Sequence, residues 1–533
     1  PGYFKLKNHF NMSVFKRFLG IFLFGLVLIP YACKRQTETL KEDLPALQVA
    51  ADFQPALFTT DDRAAQIISI APKLHELFEA HARAKNIPGI AYGIVVDGQL
   101  VIDSALGYSN LEKQIRASTT SQFRIASMTK SFTAMGIMKL VEDGTLSLHD
   151  PAYLYVPEMR DMNYLTSDAT HITIENLLTM TAGFPEDNPW GDRQLDETDQ
   201  MLRDLLQANP SFSNPPSFSF EYSNTGYAIL GLIISKVTGM PYQKYIDQNI
   251  LSALQMKDTY WEFEDIPEER LVIGYNPDSL TRAPMLHHGS YGAMGGLITS
   301  IEDFSKYVSF HLSAWPPRND PEAGPVRRSS LRKMQQPQFT RLYADAKDWN
   351  ENPCAVISGY GYGLGIAENC EGIRRISHGG ALPGFGSNYV FYPDLGIGVM
   401  AFCNVTYTTP WPYEEILKLL FEELDLKPRK LPVSTILNLR KDQIVEWFKT
   451  WDKGLETEIF AENFYLDSDR NTRLAELRPL LEGVGEIQEI GEINPGNQLR
   501  GSFEIFGTKD TVNIYFTLSP EADPKIQALY TWE

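Results

Sequence analysis

Two apolar runs, residues 90–96 and 99–106, are separated only by Asp97-Gly98. That dipeptide is the signature of a two-residue hairpin turn, because the turn needs positive φ at its centre. Helical patterns then dominate residues 127–254, and strand patterns return only after residue 362, at 389–392 and 397–402 around Pro393-Asp394-Leu395-Gly396. Late strands completing an early hairpin predict one α+β domain over residues 62–425: a sheet with flanking helices and an inserted helical region. Ahead of the hairpin, Pro72 opens a helix expected to run to Lys85, where Asn86-Ile87-Pro88-Gly89 stops it.

Beyond this domain, Lys427-Pro428-Arg429-Lys430-Leu431-Pro432 reads as a linker within 426–436, leaving 437–533 as a small α+β module. Residues 440–451 form a helical pattern with Ile444, Phe448 and Trp451 on one face, and residues 511–518 alternate apolar and polar as a strand does. Helices followed by a curved sheet faintly resemble the NTF2-like superfamily. No chemical motif covers the module, so packing or dimerisation is its expected role.

The composition, 43% hydrophobic with 12% aromatic residues, can fill a large core. Charges sum as 48 − 67 = −19. A surface that negative repels phosphate backbones, so no nucleic-acid partner is expected. At the other end of the chain, Met12 is followed by Lys16-Arg17 and then by about 15 mostly apolar residues to Ala32, the pattern of a signal peptide over residues 1–33. Pro30-Tyr31-Ala32-Cys33 resembles a bacterial lipobox, although Pro30 stands where leucine is usual. Acylation of Cys33, a tether over 34–61, and a periplasmic or outer-membrane lipoprotein held to the membrane by that anchor follow as expectations; an ordinary cleaved signal is the alternative. Export would put Cys354 and Cys370 in an oxidising compartment, either bridged around the loop they flank or as two thiols. Cys403 lies in an apolar strand and reads as core.

Three short elements carry chemistry. Ser127 and Lys130 stand three apart at the start of a helix expected over 131–142, a spacing that lets an amine polarise or deprotonate a hydroxyl. Ser330 and Lys333 have the same spacing in a basic segment, so only the apolar flanks of the first pair single it out. Tyr222-Ser223-Asn224 precedes a helix expected over 225–237. A tyrosine beside a lysine can be pushed toward phenolate and take a proton, while Asn224 can orient a substrate amide or, alternatively, cap the helix. Tyr108-Ser109-Asn110 repeats the tripeptide. The third element, His378-Gly379-Gly380 followed by Ala381, starts a strand whose glycines let a substrate lie against the backbone. His287-His288-Gly289 competes but lacks the following strand.

Taken in this order, the three elements resemble the class C branch of the serine β-lactamase and penicillin-recognising family, which also contains DD-peptidases, D-aminopeptidases and family VIII esterases. Val141-Glu142-Asp143-Gly144-Thr145-Leu146, Leu177-Leu178-Thr179-Met180-Thr181-Ala182-Gly183-Phe184 and Gly295-Gly296-Leu297-Ile298-Thr299-Ser300 support it. The resemblance implies a β-lactamase/transpeptidase-like antiparallel sheet, Ser127 as acylated nucleophile, Lys130 as its activator, Tyr222 as the base that later protonates the leaving group, and Asn224 on the substrate amide. It implies substrate binding at His378, Gly379 and Gly380, and an oxyanion site between the amides of Ser127 and Ala381. No metal or organic cofactor is implied. His378 stands where the β-lactamases usually have lysine, and a histidine is mostly neutral at pH 7, so it holds a substrate carboxylate poorly. This favours a small peptide, amide or ester substrate, with cell-wall peptides or D-amino-acid amides leading, over efficient β-lactam hydrolysis.

Other classes fare worse. His75 and His81 stand six apart, off the i, i+4 face of a zinc-protease helix, and no G-x-S-x-G nucleophile elbow occurs. A non-catalytic penicillin-binding-like sensor remains the alternative function.

Overall fold

A computed structural model of the 533-residue chain describes residues 47–60 and 62–532. The signal-peptide, lipobox and Cys33 expectations, and most of the tether, lie outside the described residues. Among residues 51–532, the central element is a nine-stranded antiparallel sheet. Its strands are β1 (Gly89–Val96), β2 (Gln99–Asn110), β3 (Ile115–Arg116), β4 (Gln338–Tyr343), β5 (Val356–Tyr360), β6 (Gly365–Asn369), β7 (Arg374–Leu382), β8 (Phe385–Tyr392) and β9 (Ile397–Cys403). They lie in the order β3-β2-β1-β9-β8-β7-β6-β5-β4. The early hairpin meets the late strands at β1–β9, where Ile90 faces Cys403 and Val96 faces Ile397.

Side-chain alternation makes this sheet two-sided. Ala91 and Val95 of β1, with Met400 and Phe402 of β9, face a core shared with the inserted helices. Ile90, Tyr92, Ile94, Val399 and Ala401 face a second core. The first core contains α2 (Thr129–Glu142), α3 (Asn224–Thr238) and α4 (Ile301–Leu312), and the second is covered by α1 (Ala71–Ala84). Helices α2 and α3 are buried on nearly every side; α3 is apolar nearly all round, as a helix inside a core is, whereas α2 also buries Thr129, Lys130, Ser131 and Thr133. Helix α3 starts one residue before its expected position because Ser223, rather than Asn224, caps it: Ser223 Oγ accepts from the Gly226 amide at 3.2 Å. It stops at Gly239, whose φ of +70° suits a left-handed C-cap.

A third core is built within 437–529 around Trp447, Phe464, Ile505 and Ile514. It lies between α5 (Thr435–Thr450), α6 (Arg470–Val484) and an antiparallel sheet of β10 (Ile487–Ile490), β11 (Asn494–Asn497), β12 (Arg500–Gly507), β13 (Thr511–Leu518) and β14 (Ile526–Trp532). Helix α5 begins at Thr435 rather than at 440 because Ser434 Oγ accepts from the Leu437 amide. Cys354 and Cys370 form a disulfide that closes the β5–β6 hairpin. Cys403 is a buried thiol whose pKa burial pushes up to about 12.

Candidate active site

Ser127 does not sit on the α-helix itself. It occupies a 3₁₀ turn, Ala126–Met128, that feeds α2, and Ala126 holds a φ of +49°. A left-handed non-glycine residue costs on the order of 1–3 kcal/mol and persists only where its surroundings over-determine it. Strand β7 supplies them. A methyl group on Gly380 would lie 2.2 Å from Ile125 O and 2.4 Å from Ser387 Oγ, so only glycine lets β7 lie this close to the turn. Ser387 Oγ donates to the Ile125 carbonyl at 2.8 Å and fastens β8 to the same point.

Lys130, in the first turn of α2, is fully buried. Its Nζ lies 2.9 Å from Ser127 Oγ, 2.7 Å from Asn224 Oδ1 and 3.1 Å from the Met294 carbonyl, and 4.9 Å from the centre of the Tyr222 ring. Burial lowers its pKa to about 7, against the opposing pull of Asp192 and Asp187. An amine so placed gives up its proton more readily than an ordinary lysine, and once neutral it can turn a lone pair to the serine hydroxyl. Tyr222 behaves in the opposite way to the phenolate expectation. Burial, with the charges of Asp192, Asp187 and Glu186, drives its pKa well above the ordinary phenol range even though Ser127 is a hydrogen-bonding neighbour. The resting side chain is therefore a phenol, a proton donor.

Asn224 also departs from its expected place. It is fully buried, its Oδ1 accepts from Lys130, and its Nδ2 donates to Asn188 Oδ1 at 3.1 Å. Both ends of the amide are occupied, so Asn224 holds the lysine instead of bordering the cavity. His378 is almost buried in β7. Its Nδ1–H donates to the Gly379 carbonyl at 2.5 Å, and its Nε2 accepts from the Tyr360 hydroxyl at 2.9 Å. This is the neutral tautomer, and burial together with the charge of Lys130 pushes the imidazole pKa far down. His378 offers the cavity a ring face and no charge.

Ser127 and Tyr222 border a cavity of about 560 Å³, as do His378, Gly379, Gly380 and Ala381. The edge of β7 is open there: its pairing with β6 ends at Ser377, whereas its pairing with β8 runs on to Leu382. An extended substrate can therefore lie along residues 378–382. The cavity is also bordered by residues that no sequence pattern marked: Asn188, Asp192 and Tyr407, and Asn388 on β8 beside Gly379. Asp187, at 2.6 Å and 2.9 Å from the backbone amides of Asn224 and Thr225, occupies the positive end of α3.

The competing motifs go elsewhere. Ser330 donates to Glu142 and Lys333 is exposed. Tyr108-Ser109-Asn110 ends β2 and does not border the cavity. His287 pairs with Glu262 and Glu264 on the surface. His75 bonds the Tyr92 hydroxyl, whereas His81 reaches the Thr409 carbonyl.

Comparison with known proteins agrees with this architecture. The sequence model described as Beta-lactamase matches residues 74–422. A protein of Staphylococcus aureus (strain MW2) named Protein flp is 30% identical over 394 residues, spanning 72% of this chain and 71% of its own length. Among solved structures, the octameric penicillin-binding protein homologue from Pyrococcus abyssi superposes with a TM-score of 0.56 at 23% identity, covering 87% of this chain and 93% of that one. A class C β-lactamase from Rhodobacter sphaeroides gives a TM-score of 0.53 at 19% identity, covering 66% and 99%. The antiparallel sheet, the inserted helices and the match over 74–422 together establish that the chain belongs to the Beta-lactamase family.

Proposed function

We propose that the protein is an exported serine hydrolase that cleaves an amide or ester bond through an acyl-enzyme on Ser127. The observation that carries this reading is the buried Lys130 amine 2.9 Å from Ser127 Oγ, drawn toward neutrality at the base of an open cavity.

In this mechanism neutral Lys130 takes the Ser127 proton as Oγ attacks the substrate carbonyl carbon. The oxygen of the tetrahedral intermediate takes its negative charge toward the amides of Ser127 and Ala381, an arrangement worth about 2.7–4 kcal/mol per donor in serine hydrolases. The Tyr222 phenol then gives its proton to the departing nitrogen or oxygen, the carbonyl–leaving-group bond breaks, and the Lys130 ammonium returns a proton to Tyr222. Water attacks the acyl-enzyme by the same route in reverse, releasing the acid and restoring Ser127. Asn224 and the Met294 carbonyl fix the lysine, and His378 braces β7 through Tyr360.

Export is supported by the disulfide Cys354–Cys370, a bond at home in oxidising compartments, and by the leader pattern before Cys33. A neutral His378 supports peptides, amides or esters over carboxylate-anchored β-lactams. The experiment is to incubate the protein with a fluorescent phosphonate and with a panel of D-Ala-D-Ala peptides, D-amino-acid amides, p-nitrophenyl esters and nitrocefin. Covalent labelling at Ser127, with turnover of a panel member that Ser127→Ala abolishes, is expected. A protein left unlabelled and inert would be a binding module on the same fold.

A further inference from the structure

The cavity has an uneven charge. Among the described residues that border it, there is no arginine or lysine, and His378 is neutral, with both nitrogens engaged. No cationic side chain on its wall is there to neutralise a substrate carboxylate. One full carboxylate does border it: Asp192, only 4% exposed, immediately after the helical turn Asn188–Gly191.

The position of Asp192 is fixed. A methyl group on Gly191 would lie 2.8 Å from Asn224 Cβ, so the chain entering Asp192 lies directly against the residue that holds Lys130. The neighbouring acids are engaged elsewhere. Asp187 accepts from the Asn224 and Thr225 amides and from Thr225 Oγ1, and Glu186 accepts from the Asn188 amide. Arg193, next along the chain, is exposed and does not border the cavity. The Tyr407 hydroxyl is a hydrogen-bonding neighbour of Asp192, but a phenol does not neutralise a carboxylate. Lys130, whose charge acts on Asp192, is fully buried and is itself drawn toward neutrality. A buried carboxylate without a full counter-charge is costly, and burial accordingly raises the pKa of Asp192 to about 6. A substrate cation entering the cavity would relieve that cost.

We propose that Asp192 binds a primary ammonium group on the acyl portion of the substrate, so that the enzyme selects aminoacyl amides or esters over their N-acylated or carboxylate-bearing counterparts. The acyl portion is the relevant part because the wall formed by Asn188, Pro189 and Asp192 is tied through the Asn188–Asn224–Lys130 hydrogen bonds to the base of Ser127, where the acyl group stays bonded between the two half-reactions. The inference rests on the acyl-enzyme reading above and narrows its substrate class.

The test holds the leaving group constant. Rates are measured for the p-nitroanilides of D- and L-alanine and for their N-acetyl and N-succinyl derivatives, alongside phosphonate labelling of Ser127. The wild type should favour the free amine of one enantiomer over its acetyl form by at least about tenfold in kcat/KM, with the succinyl form slowest. In Asp192→Asn that ratio should fall to near one, and Asp192→Glu should keep most of it. Loss of stability alone slows both substrates together and leaves the ratio in place. An Asp192→Asn ratio equal to wild type, or a wild type that prefers acetyl or succinyl substrates, overturns the Asp192 assignment while a labelled Ser127 leaves the hydrolase reading standing. An unlabelled Ser127 with no turnover overturns both.

Discussion

The chain contains the pair Ser-x-x-Lys twice, at Ser127/Lys130 and at Ser330/Lys333, and the two copies share nothing but their spacing. In the first, the lysine is sealed under α3 with three oxygen neighbours, and burial lowers its pKa to about 7. In the second, on the short helix Arg328–Met334, the lysine is in solvent and the serine donates to Glu142. Spacing sets which side chains meet, whereas burial sets whether the amine can act as a base at neutral pH. A charged, hydrated lysine is a poor proton acceptor wherever its serine lies.

The largest expected contrast comes from removing each hydroxyl. Ser127→Ala should cut turnover by at least about 10³-fold and abolish labelling. Ser330→Ala should leave turnover within about twofold, since substitutions near the surface away from special features shift stability by about 0.5 kcal/mol or less. Steady-state kinetics on any substrate from the panel separates the two. Next, Lys130→Ala should cost about 10² to 10⁴ in kcat, the range for loss of a general base, and Lys333→Ala should cost nothing measurable. Equal effects at the two lysines would erase the distinction that burial is claimed to make.

A smaller effect tests the cause. Asp192 and Asp187 favour the Lys130 ammonium, so taking a negative charge away lets burial lower the pKa further. Read on phosphonate labelling of Ser127, which needs no substrate ammonium, the acidic limb of the rate profile should move to lower pH by about one unit in Asp192→Asn. His378, which also faces Lys130, stays neutral across this range, and Tyr222 stays protonated. An unmoved limb would assign it to a different group. The smallest effect on turnover is expected from the disulfide. Closing a loop of this length contributes roughly 3 kcal/mol in the chain-entropy account, so Cys354→Ser with Cys370→Ser should lower the thermal midpoint by several degrees. The β5–β6 hairpin carries Tyr360, but His378 stays packed in β7, so kcat should fall only slightly.

Much of this was legible in the sequence because it rests on local rules. Asp97-Gly98 dictated a hairpin, and proline and glycine punctuation placed α1, β8 and β9 to within a few residues. The alternation at 511–518 matched β13. The serine, lysine, tyrosine and glycine-rich strand were recognisable through their order along the chain. What local rules missed depends on packing. Asn224 looked free to meet substrate because nothing in Tyr222-Ser223-Asn224 reveals that its amide is caught between Lys130 and Asn188. Tyr222 reads as able to approach phenolate because the order of the motifs brings Lys130 to it, whereas the burial and the three carboxylates that oppose ionisation emerge only from packing. Asp192 has no motif at all. Its place on the wall follows from the contact between Gly191 and Asn224, which joins segments more than 30 residues apart.

The central claim is that a neutral Lys130 removes the Ser127 proton. The pH dependence of the second-order rate at which a neutral phosphonate labels Ser127 tests it most directly, with the site of the adduct read by mass spectrometry. The rate should fall about tenfold per unit of pH below about 7 and level off above it, since the ammonium has no lone pair to accept the proton. A rate that is flat from pH 5 to 9, or that climbs only as pH approaches the ordinary lysine range, would contradict the account.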